Sequence, residues 1–160
     1  MSKAAAEKKH KPSQKAKALS ARLCAVQALY QATHTNDSID KIYQQFIEDA
    51  PDREIDGEKL VEPDGALLKK VLFGVQERKS DIIQVVESNL KPQTDGAKPK
   101  MDILLQSILL CAGYELLVHQ DIDSPIIIND YLNVTHAFYE KGEVSLVNGV
   151  LDAAARAFRD

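Results

Sequence analysis

Apolar residues recur at helical spacing along most of this chain. Leu19, Leu23, Val26 and Tyr30 stand at i, i+4, i+7 and i+11, one face of a first helix that Ser13 or Ser20 is placed to cap and that runs to about Thr33. Ile39, Ile42, Tyr43, Phe46 and Ile47 give a second, with Asp37 or Ser38 as cap and Pro51 as stop. Leu67, Leu68, Val71, Leu72 and Val75 mark a third. Ser80-Asp81 then re-caps a fourth, carried by Ile82, Ile83, Val86 and Leu90. The fifth, about 101–118, holds "ILLQSILLCAGYELLV" and is apolar nearly all round, which makes it the central helix. Ser124-Pro125 pairs a capping residue with proline at the first helical position, so a sixth helix starts there and runs to about Tyr139. "KGE" (141–143) breaks the pattern before Val144, Leu146, Val147, Val150, Leu151 and Ala154 set out a seventh. The acidic stretch 51–65 and the proline-punctuated 91–100 read as connections. No strand alternation persists and no segment repeats. The pattern predicts an all-α protein.

Composition agrees with a folded body. A chain of 160 residues, 44% hydrophobic and 28% charged, is long enough for one domain with a real core, and its scarcity of Gly and Pro argues against a turn-rich β-sandwich. The fifth-helix run is too short for a bilayer and contains Gln106 and Glu115, so it predicts a core helix and no membrane anchor. No signal peptide is expected, because Ser13, Gln14 and Lys15 interrupt the start. Cys24 and Cys111 lack ligand-spaced neighbours; they predict neither a disulfide framework nor a zinc site and suit a reducing cytoplasm.

Charge changes the picture at one end. Seven Lys and Arg through Arg22 face the single Glu7, a net of +6, whereas the whole chain carries −4 and the remainder therefore −10. Residues 1–14 read as a flexible basic arm and 15–160 as a single helical domain. The asymmetry suggests a polyanionic partner. Lys15 and Lys17 extend the arm toward the body. Arg22, one position off the apolar seam, is expected at the surface with a planar fork for phosphate; there Arg22→Ala would weaken RNA binding and leave stability nearly unchanged. Gln27 borders the same seam and Tyr30 ends it. The Tyr30 ring suits either core packing or the stacking of an RNA base. In "LVNGVLD" (146–152) a glycine sits inside a helical pattern at a cost of about 1 kcal/mol, which predicts close approach of another helix or of a ligand, the helix being the simpler case.

An enzyme needs a constellation, and none is present. The phosphate-loop, dinucleotide and H-E-x-x-H patterns are missing, and His10, His34, His119 and His136 are scattered. No catalysis and no cofactor are expected.

"RLCAVQALYQ", "AGYELL" (112–117), "IINDYL" (127–132) and "LVNGVLD", in this order and spacing, resemble the NusB family of bacterial transcription antitermination factors, over roughly residues 18–155. The resemblance implies a compact seven-helix fold of two small helical bundles. It implies binding of boxA-type single-stranded RNA from ribosomal-RNA leaders together with NusE, a small-subunit ribosomal protein, within an antitermination complex on RNA polymerase. By position it implies that Arg22 and Tyr30 face RNA, with Ser145, Leu146 and Asn148 at the start of the last helix. It places the NusE contact near Asn89, Leu105 and Gln106. The chain departs from the family where several arginines usually precede Arg22: here stand Ala18, Leu19, Ser20 and Ala21. Ser145-Leu146 replaces a basic–aromatic pair, and Leu110 a common arginine. Each change removes a phosphate contact or a stacking platform, and Lys15 and Lys17 replace the fork only as point charges. A rival reading therefore stands beside the first: a protein-interaction module without specific RNA binding.

Overall fold

A computed structural model describes residues 12–49, 54–55, 58–59, 61–90 and 101–159. Most of the basic arm and the 91–100 connection lie outside them. Six helices occur among the described residues: α1 (Gln14–Thr35), α2 (Ile39–Asp49), α3 (Gly65–Ser88), α4 (Ile103–Val118), α5 (Ser124–Phe138) and α6 (Lys141–Arg159). Between α2 and α3, β1 (Glu54–Ile55) and β2 (Glu58–Lys59) form a two-residue antiparallel pair, with Glu54 opposite Lys59. None of the helices is long and apolar enough to cross a membrane.

Local chemistry sets most of the boundaries. Ser13 caps α1 by accepting from the Ala16 N–H at 3.1 Å. Asn36, at φ 59°, closes it in the left-handed conformation that asparagine tolerates. Ser38 caps α2, and α2 stops just ahead of Pro51. The carboxylates of Asp64 and Asp102 cap α3 and α4 through the N–H groups of Leu67 and Leu105. The stretch before α3 is tied down rather than free: the Asp64 N–H donates to the Lys17 carbonyl at 3.0 Å, and the Ser20 hydroxyl donates to the Val61 carbonyl.

α4 is the hub. It packs against α1, α3, α5 and α6, while α2 closes over α1 and α3. The groups α1–α3 and α4–α6 share one hydrophobic cluster, in which Tyr131, Phe46, Leu72, Ile108, Leu109 and Leu151 are fully buried. At the far end of α4, Arg159 spreads its guanidinium over four carbonyls, those of Glu115 (3.4 Å), Leu116 (2.8 Å), His119 (2.9 Å) and, in the following loop, Ile122 (2.6 Å). The last helix of the chain thus helps to satisfy the carbonyls at the C-terminal end of the central one.

Four expectations need correction. The third and fourth predicted helices are one, because α3 runs unbroken through Ser80-Asp81. Gln76, Glu77, Arg78 and Lys79 are strong helix formers, and no proline or glycine interrupts them. Both halves of α3 also dock on α4, through Gly74 against Tyr114 and Ile82 against Gly113. The last helix starts earlier than its apolar seam, taking "KGE" into its first turn.

The buried face of α1 follows the seam of large residues only in part, with Val26 fully buried. Leu19 and Leu23 are half-buried and Tyr30 is exposed, whereas Ala21, Cys24, Ala25, Ala28 and Leu29 are buried. Small side chains thus make up much of the face that α1 turns to the core.

Gly149, finally, packs against no helix. A Cβ built there meets nothing within 4 Å. The glycines that do permit close packing are Gly74 and Gly113, where the same Cβ would fall 2.1 Å from Tyr114 Cζ and 2.6 Å from Ile82 Cγ2.

Candidate nucleic-acid interface

Three of the four signature stretches meet at one buried polar cluster. Arg22 of α1, only 3% exposed, forks onto Glu115 of α4, with Nε to Oε2 and Nη2 to Oε1 both at 2.8 Å. Its third nitrogen, Nη1, donates to Asp130 Oδ2 of α5 at 2.7 Å. The Tyr131 hydroxyl donates to Glu115 Oε2 at 2.5 Å, and His119 Nδ1 lies 2.9 Å from Oε1. A charge inside an apolar helix requires such partners. The expected surface position of Arg22 is thus overturned. Its fork is spent on carboxylates, and it ties α1, α4 and α5 together.

The charges follow this geometry. Burial alone would raise the Glu115 carboxyl, but hydrogen bonds from Arg22 and His119 and the Arg22 charge outweigh it and hold the group at about 2. Burial works against the Arg22 charge as well, yet Glu115 keeps the guanidinium above its usual range. Asp130 shifts the other way: burial raises it more than Arg22 lowers it, so Glu115 is the principal counter-ion. A depressed carboxylate contributes stability that is present above its ordinary value of 4.5 and lost as pH falls toward 2. Asp130, being raised, contributes with the opposite sign. The melting temperature is therefore expected to fall between pH 4.5 and 2, and Glu115→Gln should flatten that slope; equal slopes in a pH series would remove Glu115 as its source.

Among the concavities of the described surface, the first to consider borders this cluster. It lies between α1, the start of α3 and α5, and is lined by Lys15, Lys70, Ile126, Asn129 and the edges of Arg22 and Asp130. The second lies between α5 and α6, with Asn148, Asp152 and Arg156, and shares Asn129 with the first. Lys15 and Asn148 therefore border neighbouring grooves, with Asn129 between them. Lys17 is half-buried, and its carbonyl is held by Asp64. Ser145 and Leu146 are exposed on α6, Leu146 as one of the largest apolar groups left to solvent. The third concavity takes Gln27 and Tyr30 together, with His34, Leu104 and Phe138.

The residues expected by resemblance to meet a partner divide. Asn89 is exposed at the end of α3, where its Nδ2 donates to the Val85 carbonyl. Gln106 is half-buried. Leu105 is in the core at 6% exposure, so its side chain is not part of the surface expected to meet a partner. Asn129, Asp130, Tyr131 and Phe138 are the residues that sequence reasoning missed. The available signal was Glu115, a lone carboxylate in the most apolar helix, which had to have a cation facing it. Among the described residues no cluster of three or more His, Cys, Asp or Glu could hold a metal ion.

Comparison with known proteins agrees with this arrangement. The NusB family pattern matches residues 19–156. A transcription antitermination protein NusB from Novosphingobium aromaticivorans is 35% identical over 139 residues, 87% of this chain and 93% of that protein. One from Caulobacter vibrioides is 31% identical over 140 residues, 88% and 93% of the two chains. Among solved structures, T. maritima NusB superposes with a TM-score of 0.71 at 18% identity, covering 94% of this chain and 96% of that one. A crystal structure of the antitermination factors NusB and NusE in complex with dsRNA reaches 0.70 at 17% identity, over 88% and 96%. With the family pattern matching residues 19–156 and relatives above 30% identical over nearly nine-tenths of its length, this chain belongs to the NusB family.

Proposed function

We propose that the protein is an RNA-binding transcription antitermination factor, which holds boxA-type leader RNA beside a NusE-type ribosomal protein in an antitermination complex on RNA polymerase, without catalysis of its own. The observation that carries this reading is the sequence match, over nearly nine-tenths of the chain, to proteins named for transcription antitermination. A solved relative of the same fold pairs with NusE and RNA. The setting would be the cytoplasm, where transcripts are made. Residues 15–160 would act as one body and the basic arm as an unspecific electrostatic element.

The surface supporting RNA contact consists of Lys15, Gln27, Tyr30, Ser145, Leu146 and Asn148, with Lys17 as a nearby charge. Arg22 serves it indirectly, by fixing α1 against α5. Asn89 and Gln106 are the residues proposed to meet NusE. Two modest surfaces on one RNA raise the effective concentration of each, so a chain short of arginines gains most from its partner.

One observation favours the rival reading of a protein-interaction module: the single ordered arginine near the arm is consumed in the core. The two readings separate in a titration. Fluorescence anisotropy of labelled boxA-type RNA against a scrambled control, with and without NusE and at two salt concentrations, should show selective binding that tightens with NusE and weakens with salt. No selectivity even with NusE would leave the protein-interaction module as the function.

A further inference from the structure

The groove between α5 and α6 holds positive charge that the fold does not use. It has a volume of about 390 Å³, and Asn129, Asn148, Asp152, Arg156 and Arg159 are among its lining residues. Arg159 is half-buried, and its N–H groups go to the carbonyls of Glu115, Leu116, His119 and Ile122. Carbonyls hold a guanidinium without cancelling its charge, so that charge still acts on the groove. Arg156 is exposed and enters no ion pair among the described residues, not even with Asp152 one turn before it. Two arginines against the one carboxylate of Asp152 leave the lining net positive. A basic residue in the last turn of a helix is ordinary, because it complements the helix dipole. Arg156 differs by its place. Asn148, Asp152 and Arg156 stand at i, i+4 and i+8, so one line of α6 leads from the proposed RNA surface at Asn148 into this groove.

Resting on the reading of this chain as an RNA-binding protein, we propose that the groove carries the RNA strand onward from Asn148 and that Arg156 binds one of its phosphates. The planar fork of an arginine matches two phosphate oxygens at once, which a lysine does not do. Arg159 adds its charge without contact, and the Asn129 and Asn148 amides offer neutral donors to the sugar–phosphate backbone. The contact fixes where the strand lies and reads no base. It also answers a shortage within the molecule. Arg22 spends its fork on Glu115 and Asp130, whereas Arg156 keeps its own for a ligand.

The test is a scan of the RNA phosphates. A boxA-type RNA, with each phosphate in turn replaced by an uncharged methylphosphonate, is titrated with the full-length protein in the presence of NusE. Wild type, Arg156→Ala, Arg156→Lys and Arg78→Ala are compared over a range of salt. Arg78 is also an exposed arginine, on α3 and outside the groove, so its removal controls for net charge. Arg156→Ala should weaken binding of intact RNA about five- to tenfold at low salt. The slope of log affinity against log salt should become shallower by about 0.7, the share of one phosphate on a single strand. One methylphosphonate position should cost wild type a similar factor and Arg156→Ala nothing further, the signature of two groups that touch. Arg156→Lys should keep the salt slope and lose part of the affinity, since it retains the charge without the fork. Arg78→Ala should bind close to wild type.

The proposal is overturned if Arg156→Ala binds RNA no worse than Arg78→Ala does, or if its loss is the same on every methylphosphonate RNA. Loss of NusE capture with unchanged RNA binding would overturn it as well, because a protein segment would then fill the groove. Wild type that selects no RNA at all ends the proposed function, and the phosphate site with it; selective wild type with an uncoupled Arg156 ends the phosphate site alone.

Discussion

Glu115→Ala is expected to destabilise the protein by about 3–5 kcal/mol, the usual cost of removing one partner from a buried ion pair. For a chain of this size that is a fall of roughly 10 °C or more in melting temperature. The magnitude follows from what stays behind. Arg22 keeps only Asp130, a carboxylate that burial already disfavours, and its Nε and Nη2 lose their acceptors in a site with almost no access to water. The Tyr131 hydroxyl, fully buried, loses its acceptor as well. Arg22→Ala should be nearly as damaging, since it strands Glu115 at 0% exposure with only Tyr131 and His119 as donors. The sequence-based expectation that Arg22→Ala would spare stability is thus reversed, while the RNA affinity of the remaining folded molecules should stay close to wild type. Urea unfolding of the single variants and of Arg22→Met/Glu115→Leu checks the argument. The double variant removes both charges and fills their volume, so it should recover much of the loss. A double variant as unstable as either single one would show that shape, and not the unpaired charge, sets the cost.

How far the sequence reveals all this depends on the kind of interaction. Caps are local, so Ser13 and Ser38 stood among the candidates and the stop before Pro51 was legible, because a side chain and its N–H donor lie within four residues of each other. The apolar surround of α4 announced its central place in the same way. Ser124, expected as a cap, is instead the first residue of α5, whose cap position is Asp123 without a side-chain hydrogen bond. Periodicity misled where small residues replace bulk: Ala21, Ala25 and Ala28 carry little hydrophobic weight yet face the core, while Tyr30, which ends the heavier seam, faces solvent. The Arg22–Glu115–Asp130 cluster spans 93 and 108 positions of chain, beyond any local pattern. Its members nonetheless sat inside the stretches that carried the family resemblance. Those stretches mark first the joint of the fold and only then its surface. The Tyr30 cleft was half legible, because α1 contributes five of its residues while the packing that brings Phe46, Leu104 and Phe138 beside them is tertiary.

The same substitution should have opposite signs at two glycines. Gly74→Ala is expected to destabilise by about 1–3 kcal/mol through overpacking, even after the gain of up to about 1 kcal/mol that alanine brings to a helix interior. The new Cβ would lie 2.1 Å from Tyr114 Cζ and 2.3 Å from both Cε1 and Oη, well inside van der Waals contact. That ring has little freedom to retreat, being buried to 8% exposure and held edge-on by His119 at 5.4 Å. Either the ring leaves its place or α3 moves off α4, and each choice opens the packing on which both halves of α3 rely. Gly149→Ala meets nothing and should stabilise by about 0.5–1 kcal/mol, since it gains helix propensity without a contact to disturb. Thermal unfolding of the two variants, with Gly74→Ala/Tyr114→Leu as the relieving pair, decides between contact and propensity. If the clash is the cause, the pair should be less damaged than the sum of its single changes. Equal effects at the two positions would mean that propensity alone governs both glycines and that α3 and α4 do not depend on their close approach.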